Sequence, residues 1–315
     1  YEDLEKPDRD RYEFIYPNFD LLKEFKNNSN IKGIFSLNTF GYAKTNDTNV
    51  NEKIIVNDFI FNSDPKISKK GFKNTYTYLL KNSNTDTSNS SNFKDGMDNK
   101  IDLLFEYNSS YPLIKKSERF NTTLGPLMTF KYSPNNSKNM TDDDKRLDIN
   151  NIFTFNRLGT STSVEGGASL TYGIDYSKSD KSDNEIFGAK VASIFRPEED
   201  KKLPTKSGLN NKSSDIIGQI SLNPSQNFKM NYDFALKENL DDKSYELLGT
   251  ELTLNNFVTT FEYLNENNSN TDTSYLSQSS KISNNNNSKS LAFSTRRNIE
   301  TNVAEFYNLI YEYRN

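Results

Sequence analysis

Gly167-Ala168-Ser169-Leu170-Thr171-Tyr172-Gly173-Ile174-Asp175-Tyr176 is the stretch on which the fold turns. In an extended chain Ala168, Leu170, Tyr172, Ile174 and Tyr176 fall on one side and Ser169, Thr171, Gly173 and Asp175 on the other. The pattern predicts a strand with one apolar and one wet face. Turn chemistry marks both ends: Glu165-Gly166-Gly167 before it, and the polar run Ser177 to Asp183 after it.

The unit recurs in both directions. Upstream, alternation is visible in Arg11 to Phe19 (with Pro17 near a strand edge or end), Gly33 to Tyr42, Asp58 to Phe61, Phe72 to Leu80, Ile101 to Tyr107 and Leu124 to Tyr132. Downstream it returns in Phe187 to Phe195, then in a hairpin of Asp215–Leu222 and Phe228–Leu236 with the turn at Asn223 to Asn227. Leu248–Leu254 turns through Asn255-Asn256 into Phe257–Tyr263, and Tyr275–Ser283, Leu291–Thr295 and Tyr307–Tyr313 complete the series. Polar stretches at Lys81–Gly96, Asn135–Arg146, Arg196–Ser214 and Asn265–Ser274 read as long loops. Residues 1–10 read as an entry loop, and residues 11–315 as one β-domain.

The expected fold is therefore all-β, an antiparallel up-and-down meander of about 14 to 18 strands in which short turns alternate with long loops. A large transmembrane outer-membrane β-barrel, or a portion of one, accounts for this pattern. It also accounts for a composition that is otherwise awkward: only 33% of the 315 residues are hydrophobic and the mean hydropathy is -0.84, a thin supply for a water-soluble core. A barrel needs apolar side chains only on the lipid side of each strand. Disorder is disfavoured by the 13% aromatic content and the net charge of only -4. Aromatics at Tyr172, Tyr176, Tyr263, Tyr311 and Tyr313 sit near strand ends, where an interfacial girdle is expected. No run approaches the ~18 apolar residues of a spanning helix.

The chain contains no Cys, His or Trp. Ser-His-Asp and Cys-His catalysis and thiolate metal sites are excluded within it. Asp142-Asp143-Asp144 and Asp241-Asp242 read as solvated turns, a weak Ca²⁺ site at the first being their one chemical use. No phosphate-binding Gly loop occurs, and a pI near 5.3 argues against a nucleic-acid partner. We expect no enzyme activity and no cofactor. A passive porin and a soluble Asn-rich adhesin remain alternatives.

Leu124-Gly125-Pro126 through Tyr132-Ser133-Pro134, Asp142 to Phe153, Asn156-Arg157, Val164-Glu165-Gly166-Gly167 into Leu170 to Gly173, and Ser214 to Gly218 running into Leu222 to Ser225 together resemble the C-terminal barrel domain of the LPS-assembly LptD (OstA/Imp) family. Pro134, Asp144, Arg146, Leu147, Asn156, Arg157, Gly166, Tyr172, Gly173, Asp215, Gly218 and Pro224 carry the likeness. The resemblance implies transport of lipopolysaccharide and its insertion into the outer leaflet of the Gram-negative outer membrane. Lipid A would leave through an opening between the first and last strands while the sugar passes through the lumen. It further implies an LptE-like lipoprotein plug, a periplasmic LptA-like bridge and surrounding outer-membrane lipids as partners. The preceding jelly-roll domain and the disulfide cysteines of that family are not found here, and the chain end differs from a terminal aromatic strand, so a fragment is expected. A lumen that passes a glycan should be polar; Ser169, Thr171 and Asp175, with Lys229, Asn231, Asp233 and Lys237, are the candidates for such a wall.

Overall fold

The computed structural model describes residues 12–26, 32–46, 49–267, 272–286 and 288–314. The entry loop at 1–10 lies outside them, as does part of the Asn265–Ser274 loop. Seventeen strands make one antiparallel sheet: β1 (Glu13–Lys26), β2 (Gly33–Asn46), β3 (Asn51–Ser63), β4 (Lys66–Ile67), β5 (Lys73–Ser88), β6 (Gly96–Ser110), β7 (Leu113–Lys116), β8 (Asn121–Ser133), β9 (Gly167–Ser179), β10 (Glu185–Phe195), β11 (Ile216–Ser225), β12 (Phe228–Leu236), β13 (Lys243–Leu254), β14 (Phe257–Glu266), β15 (Thr273–Ser283), β16 (Lys289–Asn298) and β17 (Val303–Tyr313). The expected all-β meander is what forms. Among the described residues the one helical element is a 3₁₀ turn at Thr205–Ser207.

Two compact units divide the strands. The first (Tyr1–Ser109, Thr129–Thr141, Leu158–Ser169) carries the ladder β1–β2–β3–β5, with β4 a short strand lying on β5. The second (Ser110–Met128, Asp142–Arg157, Leu170–Asn315) carries β9 to β17, each paired with the next. In this unit the connections β9–β10, β11–β12, β13–β14 and β15–β16 are tight, and residues 196–215 between β10 and β11 form a long loop at the opposite end. Asn255 takes a φ of 52° in the two-residue β13–β14 turn, a left-handed conformation that Asn tolerates better than most residues.

One expectation fails outright. Lys81–Gly96 is not a loop: β5 continues through Ser88, paired with β3 from Asn62↔Thr77 to Asn51↔Ser88, and β6 begins at Gly96. The segment looks like a loop because its two faces are both polar, yet the backbone ladder with β3 needs no apolar side chain. The first strand is also longer than Arg11–Phe19, running to Lys26, with Pro17 at the irregularity between Ile15 and Asn18. The β11–β12 turn is tighter than the stretch Asn223 to Asn227, because the strand reaches Ser225 after a register shift past Leu222.

Candidate functional site

Both units differ from a water-soluble protein in having a mixed polar and apolar buried face, with Ile54, Val56, Leu79 and Leu104 in the first and Ile194, Ile217 and Ala235 in the second, and an apolar exposed one. In the first, β3, β5, β6 and β8 bury Glu52, Lys81, Ser83, Thr87, Asp102, Glu106, Thr129 and Lys131 on one face. Both buried lysines are paired: Lys131 Nζ lies 3.4 Å from Glu106, and Lys81 Nζ lies 2.7 Å from Asp58 Oδ1 and donates to the Ser161 carbonyl at 2.7 Å, while Glu52 accepts the Tyr42 and Ser90 hydroxyls. On the opposite face Phe35, Phe59, Tyr78, Leu80, Leu103 and Tyr132 stand exposed. A soluble monomer rarely leaves so continuous an apolar face in water.

The second unit repeats the arrangement. Register carries one face across β9 to β13 through Asp175↔Lys190↔Gln219↔Asp233↔Leu247, and Thr171↔Ile194 lies on the same side. Thr171, Asp175, Lys229, Asn231 and Asp233 are thereby brought to a single polar face, and Ser169 is on that side of β9. Ser169 and Thr171 are buried, Asp175 and Asp233 part-buried, Lys229 and Asn231 exposed. Gln219 donates to Asp233 at 2.7 Å, Lys190 pairs with Asp175 at 3.5 Å, and Lys229 with Glu251 at 3.0 Å. Lys237 follows β12 and lies 4.0 Å from Asp242. The other face displays Tyr172, Ile174, Phe261, Leu276, Phe293, Leu309 and Tyr311.

Residues 142–157 lie over this polar face. An Asp148 turn shapes the segment: its Oδ1 accepts the Asn150 and Asn151 amides at 2.7 and 2.9 Å, while Asn151 donates its side-chain amide to the Arg146 carbonyl at 2.9 Å. Leu147 and Ile152 are buried beneath it. The Arg146 guanidinium stacks 3.5 Å from the centroid of Tyr245 and pairs with Glu266 at 3.3 Å. Lys206, carried by the 3₁₀ turn, bridges Asp144 at 2.6 Å and Glu266 at 2.9 Å. Its ammonium loses hydration, which pulls its pKa down, but the bonds to Asp144 and Glu266 outweigh this and hold it above the usual lysine value. The Asp144 carboxyl is held below the usual carboxylate range by the Lys206 hydrogen bond and charge. Asp144, one of the three carboxylates of the Asp142–Asp144 turn, is thus paired with Lys206, and among the described residues no group of three or more acidic side chains is arranged to hold a metal ion.

Arg157 Nη1 donates to Thr171 Oγ1 at 2.9 Å in a buried contact. Gly173 leaves room for the Phe153 ring, since a Cβ there would sit 2.9 Å from Phe153 Cζ and 2.6 Å from the Val191 carbonyl. Gly218 plays the same part under Phe234 on the opposite face. Asp215, just before β11, accepts the Ser244 hydroxyl, and burial pushes its carboxyl up, Ser244 and Lys237 opposing this only in part. Between these groups lies a pocket of about 450 Å³ lined by Arg146, Lys206, Asp215, Ser244, Tyr245 and Glu266.

Not every residue of the sequence likeness joins this cluster. Pro134 lines an apolar groove of the first unit, Gly166 passes against the backbone of Asn135 to Ser137, Tyr172 is exposed, and Pro224 lies in the exposed tip of β11. Asn156 has its own partners. Lys206, Tyr245 and Glu266 escaped sequence reasoning, because nothing in their local pattern distinguishes them from ordinary strand and loop residues.

An antiparallel sheet with charged and hydroxyl side chains buried on one face and aromatics exposed on the other defines a class: proteins that cross a membrane by strands. No helix among the described residues is long and apolar enough to cross a membrane, which leaves strand crossing unaffected. The family model for LptD, LPS transport system D, matches residues 55–306, and the chain belongs to that family. No curated protein matches it. Transport of lipopolysaccharide and its insertion into the outer membrane is the function this membership brings, with lipopolysaccharide as the cargo. It is transport and assembly, and no observation favours the passive porin or the soluble adhesin.

Proposed function

We propose that the polar face is the wall along which the saccharide of lipopolysaccharide travels, and that the apolar face lies in the lipid of the outer membrane as part of a multi-pass β-barrel formed by residues 11–315. Ser169, Thr171, Asp175, Lys229, Asn231, Asp233 and Lys237 are then groups that meet water or sugar, directly or once residues 142–157 move. The single observation that carries this is the register-linked polar face of β9 to β13 with a polar segment laid on it. Hydroxyls, carboxamides and paired charges exchange hydrogen bonds with a glycan without trapping it, whereas an apolar wall would strand its hydroxyls unpaired. An LptE-like lipoprotein occupying the lumen and an LptA-like bridge delivering cargo through a preceding domain complete the scheme.

The absence of cysteine within these residues makes a direct test simple. Single cysteines at Asn231 and at Phe261 in the full-length protein are exposed to a water-soluble maleimide in intact membranes. The expected result is labelling of the first and protection of the second until detergent is added; the reverse pattern refutes the assignment of faces. Depletion of the full-length protein should remove lipopolysaccharide from the cell surface. Normal display with altered small-solute uptake would overturn the transport assignment in favour of a porin.

A further inference from the structure

The apolar face of the first unit is not uniform. Phe35↔Phe61↔Tyr78 and Leu37↔Phe59↔Leu80 form two consecutive rows across β2, β3 and β5. The rings touch in sequence, with centroids 4.6 Å apart for Phe35 and Phe61, 6.4 Å for Phe61 and Tyr78, and 5.0 Å for Tyr78 and Phe105. They border a groove of about 530 Å³, apolar almost throughout, with Pro134 and Tyr132 also in its lining. That volume falls in the range of about 300–1,000 Å³ typical of small-ligand pockets. A flat lipid-facing wall has no need of such a depression.

The next row on the same face changes character abruptly. Thr39↔Asn57↔Asn82 stands there, Thr39 donating to Asn57 at 2.9 Å and Asn57 to Asn82 at 3.3 Å. Asn135, next to Pro134, is fixed at the same end of β6 by accepting the Leu103 amide and donating to the Ile101 carbonyl, both at 2.9 Å. Beside the apolar rows is a cation: Lys23, opposite Leu37 in the ladder, with its Nζ 5.2 Å from the ring centroid of Phe25, the residue opposite Phe35. Among the described residues these rows contain no carboxylate. This polar edge is also the end from which the long connection at residues 134–166 departs, the side on which barrels of this class place their external loops.

An acyl-sized apolar groove, a cation on its flank and a row of carboxamides and a hydroxyl at one end match a lipid that carries acyl chain, phosphate and sugar together. We propose that the groove seats an acyl chain of lipopolysaccharide on the outer wall of the protein, its phosphate toward Lys23 and its sugar on the Thr39–Asn57–Asn82 row. This rests on the assignment of the apolar face to lipid made above.

The test is photocrosslinking of the full-length protein in vesicles of phospholipid and lipopolysaccharide, with p-benzoylphenylalanine placed at Tyr78 in the groove or at Tyr172 on the apolar face of the second unit. Both sites are 51% exposed, so accessibility alone predicts equal yields. Crosslinking to lipopolysaccharide should be roughly tenfold higher at Tyr78, the difference in occupancy that a specific site implies. Leu80→Trp, which fills the groove, should bring Tyr78 down to the Tyr172 level, and Asn82→Leu should shift Tyr78 adducts from lipopolysaccharide toward phospholipid. Equal yields at the two positions, or phospholipid adducts alone at Tyr78, overturn the groove while leaving the lipid-facing assignment intact. Absence of any lipid adduct at both positions overturns the two together.

Discussion

Lys81→Met tests whether Lys81 and Asp58, on the inner face of the first unit, form a sealed ion pair against Ser161. Lys81 and Asp58 have side chains only 4% and 15% exposed, with Nζ 2.7 Å from Oδ1. The same ammonium donates to the Ser161 carbonyl at 2.7 Å. Methionine keeps the length of the stem and removes the charge, leaving the Asp58 carboxyl buried without a counterion and Ser161 without its donor. Breaking one side of a buried pair costs about 3–5 kcal/mol, and at about 2–4 °C per kcal/mol for a chain of this size the midpoint should fall by roughly 10 °C. Removing both charges with Lys81→Met and Asp58→Leu should recover most of this, because the cost lies in the orphaned charge rather than in the loss of an attraction. A residue of about 1–2 kcal/mol should remain for the Ser161 carbonyl. The assay is thermal and denaturant unfolding of the detergent-folded full-length protein followed by far-ultraviolet circular dichroism. A loss below about 1 kcal/mol for the single variant, or a double variant no better than the single, refutes the reasoning and makes this face an open, hydrated one.

Other consequences can be measured separately. Tyr172→Arg, on an exposed apolar position in the middle of β9 and not at the strand end expected from sequence, should destabilise by about 2–4 kcal/mol, the cost near a bilayer midplane; a change under about 0.5 kcal/mol would match an ordinary water-exposed site instead. Gly173→Val should cost about 1–3 kcal/mol by overpacking, because its Cβ would meet Phe153 Cζ at 2.9 Å, and Phe153→Ala in the same chain should restore part of it. Asp144, whose pKa is depressed by Lys206, contributes stability that is present above its unfolded value near 3.9 and is lost as pH falls through the lower folded value. Protection factors over residues 142–157, corrected for the intrinsic pH dependence of amide exchange, should therefore fall as pH drops below about 4, by a small factor because the Asp144 side chain is 82% exposed, and Lys206→Met should abolish that dependence. Arg157→Ala, which removes the donor to Thr171, should loosen the end of the same segment, read as faster exchange there with the β11–β14 amides unchanged.

Period-two alternation is a local property, so Ala168 to Tyr176, Phe228 to Leu236 and Phe257 to Tyr263 announce their strands and their apolar sides from sequence alone. The same alternation, with the low overall hydrophobicity, already demanded a sheet whose apolar side faces something other than a core, and the run from Leu124 to Ser225 already resembled its family. Strand Lys73–Ser88 was only half legible: beyond Leu80 both faces are polar, and what makes Lys81 to Ser88 a strand is the backbone ladder offered by β3, which leaves no mark in side-chain pattern. The tether from Asp144 through Lys206 to Glu266 joins residues far apart in the chain, and Thr39, Asn57 and Asn82 become a row only because register aligns three strands. A one-residue slip in any ladder would send those side chains to the opposite face without altering a single local motif. Faces could therefore be assigned from sequence, while the partners across them required the tertiary structure, because register and loop return are set by the pairing of distant segments.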